Sequence, residues 1–100
     1  MFKGNEPHEV SAEQGKGYIR AWRSNNQGAQ VRGHFFGRDV LVKMLAEPNV
    51  VGLRFYHARG EKGAETLVIT GVDADGNDRW DGTVAEQAVP CPPYCPTSDL

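Results

Sequence analysis

Two short apolar segments in the middle of the chain constrain its fold more than any other feature. Residues 50–57 read Val-Val-Gly-Leu-Arg-Phe-Tyr-His, and residues 66–72 read Thr-Leu-Val-Ile-Thr-Gly-Val. Both are rich in the β-branched and aromatic residues that favour strands, and the intervening residues 58–63 include two glycines. We therefore predict two antiparallel strands joined by a turn. The face of the first strand expected to contact helices carries Val51, Leu53, Phe55 and His57.

The second segment is apolar on both faces of its predicted strand, since Leu67 and Ile69 lie on one face and Val68 and Val72 on the other. Such a strand is expected at the centre of a sheet or beneath another surface that covers it. A third strand is predicted over residues 77–84, after a turn. Together the three strands form a small antiparallel meander.

Two helices are predicted before the strand pair. The first spans about residues 11–24, with Ser11 as its N-cap and Gln14 in the position that completes a capping box. The second begins at Gly37, carries a one-sided apolar stripe and ends before Pro48. We expect an α+β fold in which both N-terminal helices pack on one face of a three-stranded antiparallel sheet.

The chain length of 100 residues suits one domain with a single modest core. We expect a flexible arm over residues 1–9, one α+β domain over 10–89 and a Pro/Cys-rich tail over 90–100. Four of the six prolines lie in that tail, so regular structure is not expected over most of it. The polar residues 1–7 lack the apolar stretch of a secretory signal, which favours a cytoplasmic location.

Charge is distributed unevenly along the chain. Residues 1–58 contain eight Lys/Arg and five Asp/Glu, whereas residues 59–100 contain three and eight. The positive excess is small for a nucleic-acid-binding protein, and no apolar run approaches the ~18 residues that span a bilayer. We therefore expect neither nucleic acid nor membrane as a partner. The uneven charge can orient a protein partner or favour head-to-tail association of copies.

Both cysteines, Cys91 and Cys95, lie in the proline-rich segment. They can form a local disulfide, act as a thiol-redox pair, or supply two ligands to zinc or iron, with the other ligands coming from His8, His34, His57 or a carboxylate. A redox motif usually has two intervening residues rather than three, and zinc usually needs four ligands. A further interpretation is that the cysteine side chains pack on the sheet as small apolar groups. The sequence leaves these alternatives open.

A weaker candidate metal set consists of Asp73, Asp75 and Asn77, whose oxygen-bearing side chains alternate as at the start of a calcium loop. The glycine of this segment is in the fourth position rather than the sixth, and a hairpin turn explains the same residues. His57 has no nucleophile or carboxylate placed near it by the sequence, and an anion site at Arg38 with His57 is a minor hypothesis. No catalytic or cofactor-binding residue is predicted.

Four phrases of the sequence, in this order, resemble a family of small uncharacterised bacterial proteins of about this length. They are Phe-Phe-Gly-Arg-Asp at 35–39, Val-Gly-Leu-Arg-Phe-Tyr at 51–56, Gly-Val-Asp-Ala-Asp-Gly-Asn-Asp at 71–78 and Pro-Cys-Pro-Pro-Tyr-Cys at 90–95. The resemblance implies a bacterial protein with a single domain, and it carries over no activity, ligand or catalytic residue.

The leading functional hypothesis is a small non-enzymatic interaction or structural module that contacts another protein or a second copy of itself. Its surface is expected to be the second strand, if one apolar face is exposed, or the stiff tail. The alternative is a metal-binding or thiol-redox protein that uses Cys91 and Cys95.

Overall fold

The computed structural model describes residues 1–97, which form an α+β fold with two helices and two small antiparallel sheets. Strand β2 pairs with β3, and β1 pairs with β4. The predicted fold class is therefore confirmed at this level. The elements in chain order are α1 (Ala12–Ser24), β1 (Gly33–Phe35), α2 (Arg38–Leu45), β2 (Gly52–Arg59), β3 (Glu65–Val72) and β4 (Val89–Cys91).

The central hairpin forms where the sequence predicts it. Its register runs from Gly52 opposite Val72 to Arg59 opposite Glu65. The turn contains a short 3₁₀ segment and is closed by a 2.8 Å hydrogen bond from the Gly60 amide to the carbonyl of Ala64. The alternation of side chains along the two strands therefore places two distinct faces on this hairpin.

The hydrophobic core lies between α2 and the hairpin. Met44 and Ile69 are fully buried there, and Ala85 joins them from the chain after β3. Ala85 and Ile69 exchange two backbone hydrogen bonds of 2.9 and 3.0 Å. The partly buried apolar side chains that complete this cluster are Phe36, Val40, Leu41 and Leu53.

The predicted third strand over 77–84 is wrong. Asp78 and Ala85 each form an isolated bridge to β3, and no ladder connects the two bridges. Between them the Gly82 amide donates to the carbonyl of Arg79 in a turn, so the chain leaves the sheet after residue 79. An uninterrupted strand would need these backbone groups for pairing with β3.

The prediction that both helices pack on the sheet face holds for α2 and is wrong for α1. The capping box of α1 is present, since the Gln14 amide donates to Ser11 Oγ and the Ser11 amide to Gln14 Oε1. However, none of its residues is buried. Its apolar residues Tyr18, Ile19 and Trp22 are too few to cover a sheet face, and Ile19 instead lies beside β1.

The N-terminal arm lies against the turn that follows β3. The Phe2 amide donates a 2.9 Å hydrogen bond to the carbonyl of Ala74, and Met1 and Phe2 flank Gly76. The arm's flexibility stays a prediction.

At the other end, β4 crosses the expected boundary at residue 89, and residues 98–100 of the predicted tail lie outside the described part of the chain. Within residues 1–97, no helix is long and apolar enough to cross a bilayer.

Candidate functional site

A groove of about 530 Å³ runs between α1, the β1–β4 sheet and the first part of the tail. It is the surface on which α1 and the tail come together, and the sheet forms its floor. Its lining residues are Ile19, Arg23, Arg32, Gly33, His34, Phe35, Val89, Cys91, Tyr94, Cys95 and Pro96.

The groove exposes large apolar side chains rather than burying them. Phe35 is 63% exposed and Tyr94 is 71% exposed, while Ile19 and Val89 are each more than one third exposed. Single exposed apolar residues are common on protein surfaces, but several around one concave surface mark a contact site.

Pairing between β1 and β4 brings together the residues of the sheet that line the groove. Gly33 lies opposite Cys91, His34 opposite Pro90 and Phe35 opposite Val89. These strands are separated by more than fifty residues, so their pairing has no local sequence signal. Proline lacks an amide hydrogen, and its place in a two-stranded sheet is compatible with that loss.

Cys91 and Cys95 form a disulfide that closes the tail onto β4. A hydrogen bond of 3.1 Å from the Tyr94 amide to the carbonyl of Pro90 tightens the same loop. Arg32 lies next to this loop, with Nη2 at 3.8 Å from Cys95 Sγ and its amide donating to the carbonyl of Cys91 at 2.6 Å. A positive charge therefore lies beside one sulfur of the pair.

The histidines of the candidate metal set lie in a second, smaller cleft of about 350 Å³ at the turn end of the hairpin. His34 and His57 both line it, and a ring nitrogen of His34 is 3.3 Å from the carbonyl oxygen of Glu65. His34 also lines the groove with Cys91 and Cys95, whereas His57 does not. Within residues 1–97, no three His, Cys, Asp or Glu side chains are grouped to hold a metal ion.

The weaker candidate set lies in a turn stabilised by its own side chains. Asp73 Oδ1 accepts hydrogen bonds from the amides of Asp75 and Asn77, both at 3.0 Å. Its other oxygen, Oδ2, is 3.8 Å from Arg79 Nη1. The left-handed φ of 86° at Gly76 suits glycine in this turn. The Asp73 carboxylate therefore has local partners of its own.

A polar cluster centred on Asp78, which the sequence did not reveal, fastens the segment after β3 to the hairpin. Arg54 Nη1 lies 2.6 Å from Asp78 Oδ1, Thr70 Oγ1 donates to the same oxygen at 3.1 Å, and the Tyr56 hydroxyl donates to Oδ2. Arg54, Tyr56 and Thr70 lie on one face of the hairpin. Their alternation with apolar residues in the sequence is the pattern that could have indicated a polar face.

The surroundings of Asp78 stabilise its charged form. The hydrogen bond from Tyr56 is the largest influence that lowers the pKa of Asp78, and the hydrogen bonds from Thr70 and Arg54 and the charge of Arg54 act in the same direction. Partial burial opposes them. Trp80 stacks on Tyr56 with ring centroids 6.2 Å apart. Because Asp78 accepts bonds from three side chains, we interpret this cluster as structural.

Strand β3 is covered on both faces, one of the two arrangements expected for a strand that is apolar on both sides, so it offers no exposed apolar face to a partner. Only Glu65 of its eight residues is exposed, and Thr70 and Val72 on the face away from α2 are buried. The segment that contains Asp78 lies beside this face, where Asp78 pairs with Val72 and accepts a hydrogen bond from the hydroxyl of Thr70. Exposed apolar side chains line the groove, and others, including Phe55, Leu45 and Trp80, lie elsewhere on the surface.

Comparisons with protein-family models, with curated proteins and with solved structures give no match to this chain. The family resemblance carried by the four sequence phrases therefore stays a prediction.

Proposed function

We propose that this protein is a small non-enzymatic interaction module and that its groove binds residues 73–81 of a second copy. The observation that carries the proposal is the exposure of Phe35 and Tyr94, which both line the groove. Burial of apolar surface releases roughly 25 cal/mol per Å², so a partner that covers these rings gains free energy.

Charge supports this choice of occupant. Arg23 and Arg32 line the groove, whereas residues 73–81 contain four Asp and one Arg. Asp75 and Asp81 are the exposed carboxylates among them, since Asp73 and Asp78 bond within the protein. The same segment presents Trp80, which is 59% exposed. An acidic segment with an aromatic side chain is complementary in charge and chemistry to a groove with two arginines and exposed aromatic rings.

The groove and residues 73–81 share no residue, so each copy offers two complementary surfaces. Reciprocal use of both surfaces closes a two-fold dimer, whereas one contact between each pair of copies gives rings or open chains. The mass found by sedimentation at high concentration distinguishes a closed dimer from larger assemblies. The proposed association also weakens as salt rises, since exposed charges are screened.

Sedimentation equilibrium of the oxidised protein, from micromolar to millimolar concentration, tests the proposal with a matched pair of variants. Phe35→Ser removes a groove ring, and Phe55→Ser removes a ring that is 52% exposed on the hairpin, outside the groove. We expect Phe35→Ser to weaken association by about tenfold or more, in the range of interface hot spots, and Phe55→Ser to leave it unchanged. A wild-type protein that stays monomeric, or equal effects of both variants, would contradict the proposal.

The alternative of a metal-binding protein stays a prediction. Zinc or iron at Cys91 and Cys95 would need the two sulfurs as thiolates, so reduction of the disulfide would come first. Elemental analysis of reduced protein purified without chelator, compared with a Cys91→Ser variant, tests it directly.

A further inference from the structure

The position of Arg32 beside the disulfide points to a chemical asymmetry between its two sulfurs. The guanidinium group contacts Cys95 Sγ, and the three ion pairs found within residues 1–97 do not include Arg32. A neighbouring cation stabilises a thiolate relative to a thiol. A negative charge that forms on Cys95 is therefore better stabilised than one that forms on Cys91.

The backbone is asymmetric in the same direction. Cys91 belongs to β4 and is held by pairing with Gly33 and by the hydrogen bond from the Arg32 amide. Cys95 follows the turn and forms no backbone hydrogen bond within the described residues. Opening the disulfide therefore leaves Cys91 fixed in the sheet. The loop with Tyr94, Cys95 and Pro96 then keeps the hydrogen bond from the Tyr94 amide to the carbonyl of Pro90 as its backbone contact within the described residues, so it gains freedom relative to β4.

We propose that Cys91–Cys95 is a thiol–disulfide exchange site at which a dithiol reductant opens one wall of the groove. This inference rests on the proposed function for its effect on binding, but its chemistry can be tested separately.

The exchange proceeds in two displacements. A thiolate of the dithiol attacks Cys91 Sγ, the Cys91–Cys95 bond breaks, and its electron pair leaves on Cys95 Sγ as a thiolate beside Arg32. The second thiolate of the reductant then attacks the reductant's own sulfur in the mixed disulfide, closes the reductant's disulfide and releases the Cys91 thiolate. Two electrons pass to the protein, and the two protons lost by the dithiol are balanced by protonation of the two cysteines. The better leaving group determines which sulfur is attacked.

The first test identifies the attacked sulfur. Oxidised protein is treated with 2-mercaptoethanol, free thiols are alkylated with iodoacetamide, and the adducts are located by peptide mass spectrometry. We expect the mercaptoethanol adduct on Cys91 and the alkyl group on Cys95. An adduct mainly on Cys95, or equal amounts on both sulfurs, would overturn the proposal.

The second test measures the contribution of Arg32 through the rate of reduction by dithiothreitol. We expect Arg32→Gln to slow reduction about tenfold, Arg32→Lys to restore most of the rate, and Arg38→Gln, at an exposed arginine of α2, to match wild type. Equal rates for all four proteins would overturn the assignment. If circular dichroism shows that Arg32→Gln is unfolded, the adduct position and the Arg32→Lys rate decide the question.

The third test measures the effect of reduction on the groove by comparing sedimentation of the oxidised protein with that of reduced, alkylated protein. We expect association to fall severalfold on reduction, because the loop with Tyr94 and Pro96 gains freedom relative to β4. Unchanged association would overturn the control of binding by reduction. Absence of association in both states would instead overturn the proposed function, while the adduct position and reduction rates would still decide the exchange chemistry.

Discussion

The hairpin side and the groove side of this molecule use similar residues in opposite ways. On the hairpin side, Met44 and Ile69 are fully buried and the Asp78 carboxylate accepts three side-chain hydrogen bonds. On the groove side, Phe35 and Tyr94 are mostly exposed. Because burial stabilises a fold and exposed apolar surface favours contact, we expect the hairpin side to supply most of the stability and propose the groove side for binding.

The same division applies to covalent and charged groups. The hairpin side is held by noncovalent contacts, including the carboxylate of Glu47, which accepts hydrogen bonds from the amide and hydroxyl of Thr83. The groove side depends on a short sheet and on the Cys91–Cys95 disulfide. Reduction therefore acts on the binding side and leaves the core contacts intact.

The largest effect on stability is expected from truncation in the core. Ile69→Ala removes a fully buried side chain and should lower the free energy of unfolding by about 2–5 kcal/mol. Phe35→Ala, in the groove, should lower it by less than about 1 kcal/mol because the ring is mostly exposed. Urea denaturation of the two variants measures the contrast. Similar losses of unfolding free energy in the two variants would contradict the assignment of stability to the hairpin side.

A smaller, pH-dependent effect is expected from the Asp78 cluster. The folded state lowers the pKa of Asp78, so its contribution to stability is fully present above the unfolded carboxyl pKa of about 3.9 and is lost as pH falls through the lower folded pKa. Asp78→Asn should therefore destabilise the protein at neutral pH, with a difference from wild type that shrinks in acid.

Urea denaturation at a series of pH values measures this difference. The matched control is Asp75→Asn, at an exposed carboxylate in the same turn. We expect the control to follow the wild-type pH profile more closely than Asp78→Asn does. A difference between Asp78→Asn and wild type that stays constant down to strongly acidic pH would contradict the assigned role.

The smallest effect is expected at the start of α1. Ser11→Ala removes a capping hydrogen bond, which costs about 1 kcal/mol in helix stability. Because α1 buries no residue, the loss should be local and leave the urea midpoint nearly unchanged. Amide hydrogen exchange should show faster exchange in the first turn. Ser24→Ala, at the other end of the helix, is the control, and a large fall in the urea midpoint would show that α1 supports the core.

The parts of this fold that could be predicted are those specified by neighbouring residues. The capping box at Ser11, the helix end before Pro48 and the pairing of the two central segments follow from patterns within a few residues, whereas the register of the hairpin was not predicted. The third strand failed because the pattern over 77–84 did not show that Asp78 would bond across the sheet and that the chain would turn after Arg79. Such tertiary contacts override local strand preference.

The groove was beyond sequence reasoning for the same reason. It depends on pairing between residues 33–35 and 89–91, and neither segment is long enough to identify its partner. That the tail is a contact strip stays a prediction, and its position beside α1 and Arg32 could be seen only in the fold. The metal candidates Cys91 and Cys95 were placed in one loop, whereas His57 lies at the hairpin.

The most direct test of the division between a stable hairpin and a binding groove is an amide NMR titration of the oxidised protein against its own concentration. We expect the resonances of β1, β4 and the tail loop to move with concentration, together with those of residues 73–81, while those in the middle of β2 and β3 remain fixed. Spectra that do not change up to millimolar concentration, or changes centred on the hairpin strands, would contradict this division.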